Sequence, residues 1–162
     1  MTHRNVSEHS DGPAAGPCTV DEQSTDGLTL ALSRPRPGVV LVRVVGEIDL
    51  LTAPGWAQSL ATAHQDLVET ITSSTVDRAR DDDPHPSRIV CDLTGVTFLG
   101  AAGLSVIAEA IDRVGDGAVG LWLVADTRPV RRVLHLAGLD RCVAVAARLS
   151  DAVGGPHESL AD

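Results

Sequence analysis

The chain has 162 residues, of which 43% are hydrophobic and 2% aromatic, and its formal net charge is −9. That length suits one domain with tails and a buried core, whereas the acidic balance and the shortage of aromatic rings argue against nucleic acid and anionic membranes as partners. No apolar run is long enough to span a bilayer, the N-terminus lacks the apolar core of a signal peptide, and the three cysteines have no disulfide spacing, so we expect a protein of the reducing cytoplasm.

The first third of the chain predicts a leader followed by a β-hairpin. Residues 1–27 are rich in Ser, Thr, Gly, Pro and acidic residues without an apolar period, which predicts a disordered leader. Leucines alternate with other residues over 28–33, and a β-branched run follows at 39–45. The turn sequence Pro-Arg-Pro-Gly at 35–38 separates them, so the two runs are predicted to pair as antiparallel strands.

A helix and a long loop follow. Thr52 is suited to cap the helix and Pro54 to its first turn, and apolar residues then recur at spacings of three and four as far as residue 71. Residues 73–87 are predicted to form a long surface loop. The loop contains an acidic triplet at 81–83, but no further ligands stand at a defined spacing, so we expect no metal site there.

The centre of the chain combines a strand, a small-residue turn and a helix. Residues 89–91 form a short apolar run typical of a buried strand, and apolar residues recur at helical spacing from Leu104 to Val114. The intervening Gly-Ala-Ala-Gly at 100–103 predicts a sharp turn that leaves the first amides of the helix uncovered. A strand that passes through such a turn into a helix N-terminus is a natural place to receive a partner or an anion.

The remaining elements complete an α/β pattern. We predict a strand at 118–124, a helix capped by Thr127 and stopped by Gly138, a strand at 142–145 and a helical turn at 149–153, followed by a flexible tail at 154–162. Helical crossovers join parallel strands, whereas the first hairpin is antiparallel. The expected fold is therefore a mixed sheet of four to five strands, in one domain over residues 28–153.

The sequence contains no catalytic or cofactor constellation. It has no phosphate-binding loop, no dinucleotide-binding glycine pattern, no zinc-type Cys or His spacing and no lysine at all, and its six histidines are scattered. Cys91 and Cys142 are expected to be buried as small apolar residues. We therefore expect a protein that is not an enzyme and that has no cofactor and no metal.

Two segments carry a resemblance to a known family. Residues 89–104 read Ile-Val-Cys-Asp-Leu-Thr-Gly-Val-Thr-Phe-Leu-Gly-Ala-Ala-Gly-Leu. This resembles the signature of the STAS domain, the sulfate-transporter and anti-sigma-factor-antagonist family, whose usual form is hydrophobic-hydrophobic-Asp-Leu-Ser-x-Val-x-hydrophobic-hydrophobic-Asp-Ser-Ser-Gly-Leu. Residues 44–54 are similar to the family's Gly-Glu-Leu-Asp-x-x-Thr-Ala-Pro segment. The resemblance covers roughly residues 28–153 and implies a STAS-like (SpoIIAA-like) fold with its helices mainly on one face of the sheet.

The resemblance also implies a partner-binding surface. In STAS antagonists the loops after two neighbouring strands, with the helix that follows, dock an anti-sigma kinase, and this kinase phosphorylates the serine of Asp-Ser-Ser-Gly. The matching partner-binding residues are Asp49, Thr52, Gly100, Ala101, Ala102, Gly103, Leu104 and Ser105. From the sequence pattern alone, the first two of these residues only end a strand and cap a helix.

The phosphorylated position itself is altered. Ala102 stands where the family has its phosphoserine, and Gly100 stands where the family has the neighbouring aspartate, so the usual switch is missing. Ser105, Thr94 and Thr97 carry hydroxyls nearby, although an ordinary helix serine is the favoured interpretation of the first. Either the protein binds without this switch or its partner is not a kinase.

The leading hypothesis is an anti-sigma factor antagonist-like protein that binds an anti-sigma factor, or a related regulatory kinase, through residues 100–114 and so influences sigma-factor-dependent transcription. The alternative is a STAS ligand-sensing or scaffold module that binds a nucleotide or small molecule. A small enzyme is the third hypothesis, and it lacks an activated nucleophile or an acid–base pair. The identity of the partner and the formation of a homodimer stay open.

Overall fold

The structure of the chain is a computed structural model that describes residues 21–74 and 86–154. Its six strands are β1 Asp21–Thr25, β2 Leu28–Arg36, β3 Val39–Ile48, β4 Ser87–Leu99, β5 Val119–Val124 and β6 Ala144–Ala146. Its four α-helices are α1 Ala53–Ser74, α2 Ala101–Val114, α3 Arg128–Leu136 and α4 Leu149–Val153. The leader up to residue 20, the part of the predicted loop at 75–85 and the tail from 155 onward lie outside the described residues, and with them lie Cys18 and four of the histidines.

The strands form one mixed sheet in chain order, from β1 to β6. The pairs β1/β2 and β2/β3 are antiparallel, and β3, β4, β5 and β6 are parallel neighbours joined through α1, α2 and α3. The predicted mixed α/β fold is therefore confirmed.

The main core lies between the sheet and three of the helices. Trp56 and Leu60 of α1, Ile107 of α2 and Leu134 of α3 pack with the inward residues of the strands, and each of the four side chains is almost fully buried. The short helix α4 lies on the opposite face, where its Ala152 packs in a smaller cluster. The helices thus lie mainly on one face, as the resemblance implies.

Strand β1 corrects the prediction at the N-terminal end. Residues 21–25 pair with β2, so the predicted disordered leader over residues 1–27 is wrong for these five residues, and the described sheet has one strand more than the predicted four to five. All five side chains of β1 are exposed, so the strand has no apolar alternation to recognise. The turn Asp26-Gly27, with φ of +48° and +89°, is the two-residue hairpin turn that an Asp-Gly pair indicates.

Several element boundaries also differ. Strand β4 continues to Leu99 and α2 begins at Ala101, so only Gly100 of the predicted small-residue turn lies outside the helix. The second half of β4 does not follow the apolar pattern of a buried strand. Its register against β3 shifts twice, and Thr94, Thr97 and Phe98 are exposed. The last strand is Ala144–Ala146, which leaves Cys142 exposed in the preceding turn and not buried in a strand.

Candidate functional site

The carboxyl ends of β3 and β4 bring the two predicted segments together. In the parallel register Ile48 stands beside Leu99, and the amide of Gly100 donates a hydrogen bond of 2.8 Å to the carbonyl of Ile48. The loop of residues 49–52 therefore lies directly beside the start of α2.

Asp49 and Thr52 hold the 49–52 loop in shape. The Asp49 carboxylate oxygen Oδ1 accepts hydrogen bonds from the amides of Leu51, at 2.8 Å, and Thr52, at 3.0 Å. The Thr52 hydroxyl accepts from the Asp49 amide and donates to the Glu47 carbonyl, both at 2.9 Å. These donors also lower the pKa of Asp49 below its ordinary value, the Thr52 and Leu51 amides contributing most, because they favour the ionised carboxylate. Both side chains thus build the loop, and Thr52, only 5% exposed, offers little to a partner.

Gly103 lets α2 lie close against the two strand ends. A Cβ atom at this position would lie 2.6 Å from Leu99 Cδ1 and 2.7 Å from Ile48 Cγ2, which is far inside van der Waals contact. Gly103 is itself buried. Its contribution to a binding surface is therefore to set the position of the helix, and a partner would not touch it directly.

The other small residues of α2 divide between core and solvent. Ala101 is exposed, whereas Ala102 and Leu104 are half-buried and pack against the main core. Ser105 is exposed, and its hydroxyl donates to the carbonyl of Ala101 at 3.2 Å. Gly100 occupies the N-cap position, where it provides no side chain to bond the first amides of the helix.

The hydroxyls considered as substitutes for the phosphoacceptor all have partners within the chain. Thr94 Oγ1 donates to Asp92 Oδ1 at 2.7 Å, and Thr97 Oγ1 donates to the carbonyl of Gly46 at 3.3 Å. Both threonines lie on β4, before the start of α2.

Three exposed apolar side chains that the sequence analysis does not assign to the site lie at these strand ends. Leu50 is 80% exposed, Leu51 77% and Phe98 52%, and the Phe98 ring would come within 3.1 Å of a Cβ at Gly100. A signal was present in the sequence: Leu50 and Leu51 follow a strand without belonging to either helical or strand periodicity. Clusters of exposed large apolar residues mark protein interaction sites.

We call the set Leu50, Leu51, Phe98, Ala101 and Ser105 the loop–helix surface. None of these five side chains is charged, although Glu47 and the ionised Asp49 border the set, and the first turn of α2 has no acidic residue that would offset the partial positive charge of the helix N-terminus. An uncharged, largely apolar surface of this kind is suited to adhesion to another protein and offers no group for acid–base or nucleophilic chemistry.

The remaining reactive side chains of the described residues stand apart from this surface. His64 lies on α1, and its pKa is lowered mainly by burial and also by the charge of Arg113. His135 lies on α3, and its Nδ1 is hydrogen-bonded to Asp140 Oδ2, after the helix, at 2.7 Å. Cys91 is fully buried in β4, and desolvation raises the pKa of its thiol to about 12. Within residues 21–74 and 86–154, no group of three or more His, Cys, Asp or Glu side chains could hold a metal ion, and no helix is long and apolar enough to cross a membrane.

Comparison with known proteins gives one consistent result. The family model of the STAS domain matches residues 32–152. The anti-sigma-F factor antagonist RsfB of Mycobacterium tuberculosis is 32% identical to the chain over 130 residues, which cover 80% of this chain and 90% of that protein. The anti-sigma-F factor antagonist RsfA of the same organism is 28% identical over 99 residues, which cover 61% of this chain and 65% of the relative.

Solved structures agree with these relatives. An anti-sigma factor antagonist from Mycobacterium paratuberculosis superposes with a TM-score of 0.60 at 31% identity, and the match covers 80% of this chain and 94% of that one. The Bacillus cell fate determinant SpoIIAA in its phosphorylated form superposes with a TM-score of 0.53 at 16% identity, covering 76% and 96% of the two chains. The second likeness supports the fold alone.

Proposed function

The chain belongs to the STAS domain family, and we propose that it is an anti-sigma factor antagonist, which binds an anti-sigma factor or a related regulatory kinase and so influences sigma-factor-dependent transcription. Its relatives are regulatory binding proteins and not typical enzymes. Because sigma factors act on transcription in the cytoplasm, we place the protein there.

The exposed apolar side chains of the loop–helix surface support the proposed location of partner binding. Leu50, Leu51 and Phe98 are all more than half exposed at the ends of two neighbouring strands. Full burial of a large apolar side chain is favourable by about 1.5–3 kcal/mol, so covering all three supplies a substantial part of the free energy of a protein complex. The residues predicted from the family resemblance frame this surface, with Ala101 and Ser105 exposed on it and Thr52 and Gly103 beneath it.

The absence of a hydroxyl at residue 102 supports binding without the usual phosphorylation switch. A phosphate at the start of α2 would add about 1.5 to 2 negative charges to a largely apolar surface, and the cost of removing its water would weaken an apolar contact there. Ala102 cannot accept one, and the hydroxyl of Ser105 already bonds the carbonyl one turn earlier. The protein is therefore competent to bind whenever it is present, or its partner is not a kinase.

A ligand-sensing role receives no support from the space around this surface. The cavity beside Leu51 and Thr52, between the 49–52 loop and the first two strands, has a volume of about 60 Å³. Ligand pockets for drug-sized molecules have volumes of about 300–1,000 Å³, so a nucleotide does not fit there.

Binding is tested with purified candidate anti-sigma factors from the same cell, by calorimetric titration of the full chain. Leu51→Asp places a charge on the loop–helix surface and is expected to weaken binding by at least about tenfold, since the carboxylate must lose its water. Val68→Asp is the matched control, because Val68 is also an exposed apolar residue, at 41%, but it lies in the C-terminal half of α1. Equal binding by a folded Leu51→Asp variant would rule out this surface.

The missing switch is tested with Ala102→Ser and a partner that is a kinase. With ATP present, the variant is expected to acquire one phosphate and to release the partner, whereas the wild-type chain stays bound and unmodified. Ser105→Ala serves as the control for modification at the neighbouring hydroxyl. A phosphate found by mass spectrometry on Ser105 of the wild-type chain, accompanied by release, would contradict binding without a switch.

A further inference from the structure

The outer side of α3 concentrates positive charge in an acidic protein. Arg128, Arg131 and Arg132 are exposed and stand on neighbouring turns of this helix, and Leu136, 72% exposed, follows one turn later. Val130 and Leu134 occupy the opposite, buried side. We call the four exposed residues the α3 arginine face.

Within the described part of the chain, these arginines have no ionic partner. The ion pairs there join Arg34 to Asp66, Arg43 to Asp92 and His135 to Asp140. Arg128, Arg131 and Arg132 line a surface concavity of about 520 Å³ together with Asp126 and Asp140. One oxygen of Asp140 is already taken by the His135 ring at 2.7 Å. The guanidinium groups of the α3 arginine face are therefore available to an outside carboxylate.

The stability of the helix does not account for this arrangement. Arg128 is the first residue of α3 and the other two arginines follow within four residues. A cation in the first turn interacts unfavourably with the helix dipole, so Arg128 does not stabilise the helix end, where Asp or Glu would be favoured. A net charge of −9 on the whole chain also makes three neighbouring unpaired arginines stand out.

The α3 arginine face begins at the same edge of the sheet as the loop–helix surface. Because β4 and β5 are parallel, α2 and α3 both begin at the carboxyl ends of their strands, and α3 packs against β4. Leu136 adds an exposed apolar contact at the end of the arginine row. Arginine flanked by apolar surface is the composition of a protein interface.

We propose that the α3 arginine face is a second contact site for the protein partner and takes an acidic segment of it, whose Asp and Glu carboxylates pair with Arg128, Arg131 and Arg132. This inference rests on the proposed function, because the partner is the same protein. An acidic peptide is favoured over nucleic acid and over free phosphate because it also brings apolar side chains to the exposed Leu136, and because each carboxylate carries only one charge beside Asp126 and Asp140 of the same concavity.

The first experiment uses the full chain and a fluorescein-labelled peptide rich in glutamate and leucine. Fluorescence anisotropy is expected to show binding that weakens as salt is raised, and the triple variant Arg128→Glu/Arg131→Glu/Arg132→Glu is expected to lose it. Arg148→Glu is the matched control, because Arg148 is also an exposed arginine but lies at the start of α4, outside the α3 arginine face. Thermal melting of the triple variant is measured in parallel, and a loss of binding counts for the α3 arginine face when the variant melts cooperatively as a folded protein. Displacement of the peptide by inorganic phosphate alone, or tighter binding of a DNA oligonucleotide than of the peptide, would overturn the inference.

The second experiment uses an anti-sigma factor that binds the wild-type chain. The triple variant is expected to bind it at least about tenfold more weakly at low salt, with the difference shrinking at high salt, because charge pairs are screened. Equal affinity of the triple variant at every salt concentration would refute the α3 arginine face and leave the loop–helix surface standing. If no anti-sigma factor binds the wild-type chain, the proposed function fails, while peptide binding still reports on the α3 arginine face.

Discussion

Replacing Gly103 by alanine tests how closely α2 lies against the strands that support the loop–helix surface. The added Cβ would meet Leu99 Cδ1 at 2.6 Å and Ile48 Cγ2 at 2.7 Å, whereas carbon atoms in favourable contact are about 3.5–4.0 Å apart. Ile48 is fully buried and Leu99 is 7% exposed, so a shift of either side chain would disturb the core residues packed around it.

The size of the effect follows from two opposing contributions. Inserting a methyl group into a well-packed core costs about 1–3 kcal/mol, and two contacts this short place the cost in the upper part of that range. Alanine is favoured over glycine inside a helix by about 1 kcal/mol, which offsets part of it. We therefore expect Gly103→Ala to lower the free energy of unfolding by about 1–2 kcal/mol, which corresponds to a fall in Tm of about 2–8 °C for a chain of this size.

The measurement is urea unfolding followed by tryptophan fluorescence, for which the fully buried Trp56 is a natural probe. Ser105→Ala is the matched control, because Ser105 is exposed on the same helix and its replacement should change stability by no more than about 0.5 kcal/mol. If Gly103→Ala were as stable as the wild type or more stable, α2 would not lie at this distance from β3 and β4, and the geometry of the site would be wrong.

Three further predictions concern two side chains of the 49–52 loop and the buried thiol of β4. Thr52→Val removes a hydroxyl that bonds two backbone groups, so chemical denaturation should show a loss of about 1–3 kcal/mol, and no loss would contradict this hydrogen bonding. Because the pKa of Asp49 is lowered, its ionised form stabilises the fold above pH 3.8, the ordinary pKa, and this contribution is lost as the pH falls through the lowered pKa. The wild-type chain should therefore lose its stability advantage over Asp49→Asn in acid. A difference in unfolding free energy that stays constant with pH would contradict this. In the double variant Cys18→Ser/Cys142→Ser, Cys91 is the remaining thiol. It should react with Ellman's reagent only when the chain unfolds, because Cys91 is buried and burial raises its pKa to about 12. Rapid reaction of the folded protein would refute this.

Much of the fold could be predicted from hydrophobic periodicity. The parallel strands and the three long helices carry strong apolar patterns, and the glycine that stops α3 adopts φ of +72°, as a helix stop does. Strand β1 could not be found this way, because all five of its side chains are exposed and it is held mainly by backbone pairing with β2. The Asp-Gly turn after it was the one local signal available.

The candidate site was only partly predictable. The parallel order of β3 and β4 brings Asp49 and Gly100 close, which the topology implied. Burial depends on the tertiary fold, so the sequence could not show that Gly103 and Thr52 lie beneath the surface. The position of Leu50 and Leu51 outside both periodicities was a signal, but the sequence could not show that Leu51 is 77% exposed, because leucine is more often packed inside.

The location of partner binding is tested most directly by hydrogen–deuterium exchange of the full chain with and without a bound anti-sigma factor. We expect amide exchange to slow in the 49–52 loop and over residues 98–105 when the complex forms, and to stay unchanged in the middle of α1. Protection confined to other parts of the sheet or helices, with the 49–52 loop and the start of α2 exchanging as in the free chain, would contradict the proposal that the loop–helix surface binds the partner.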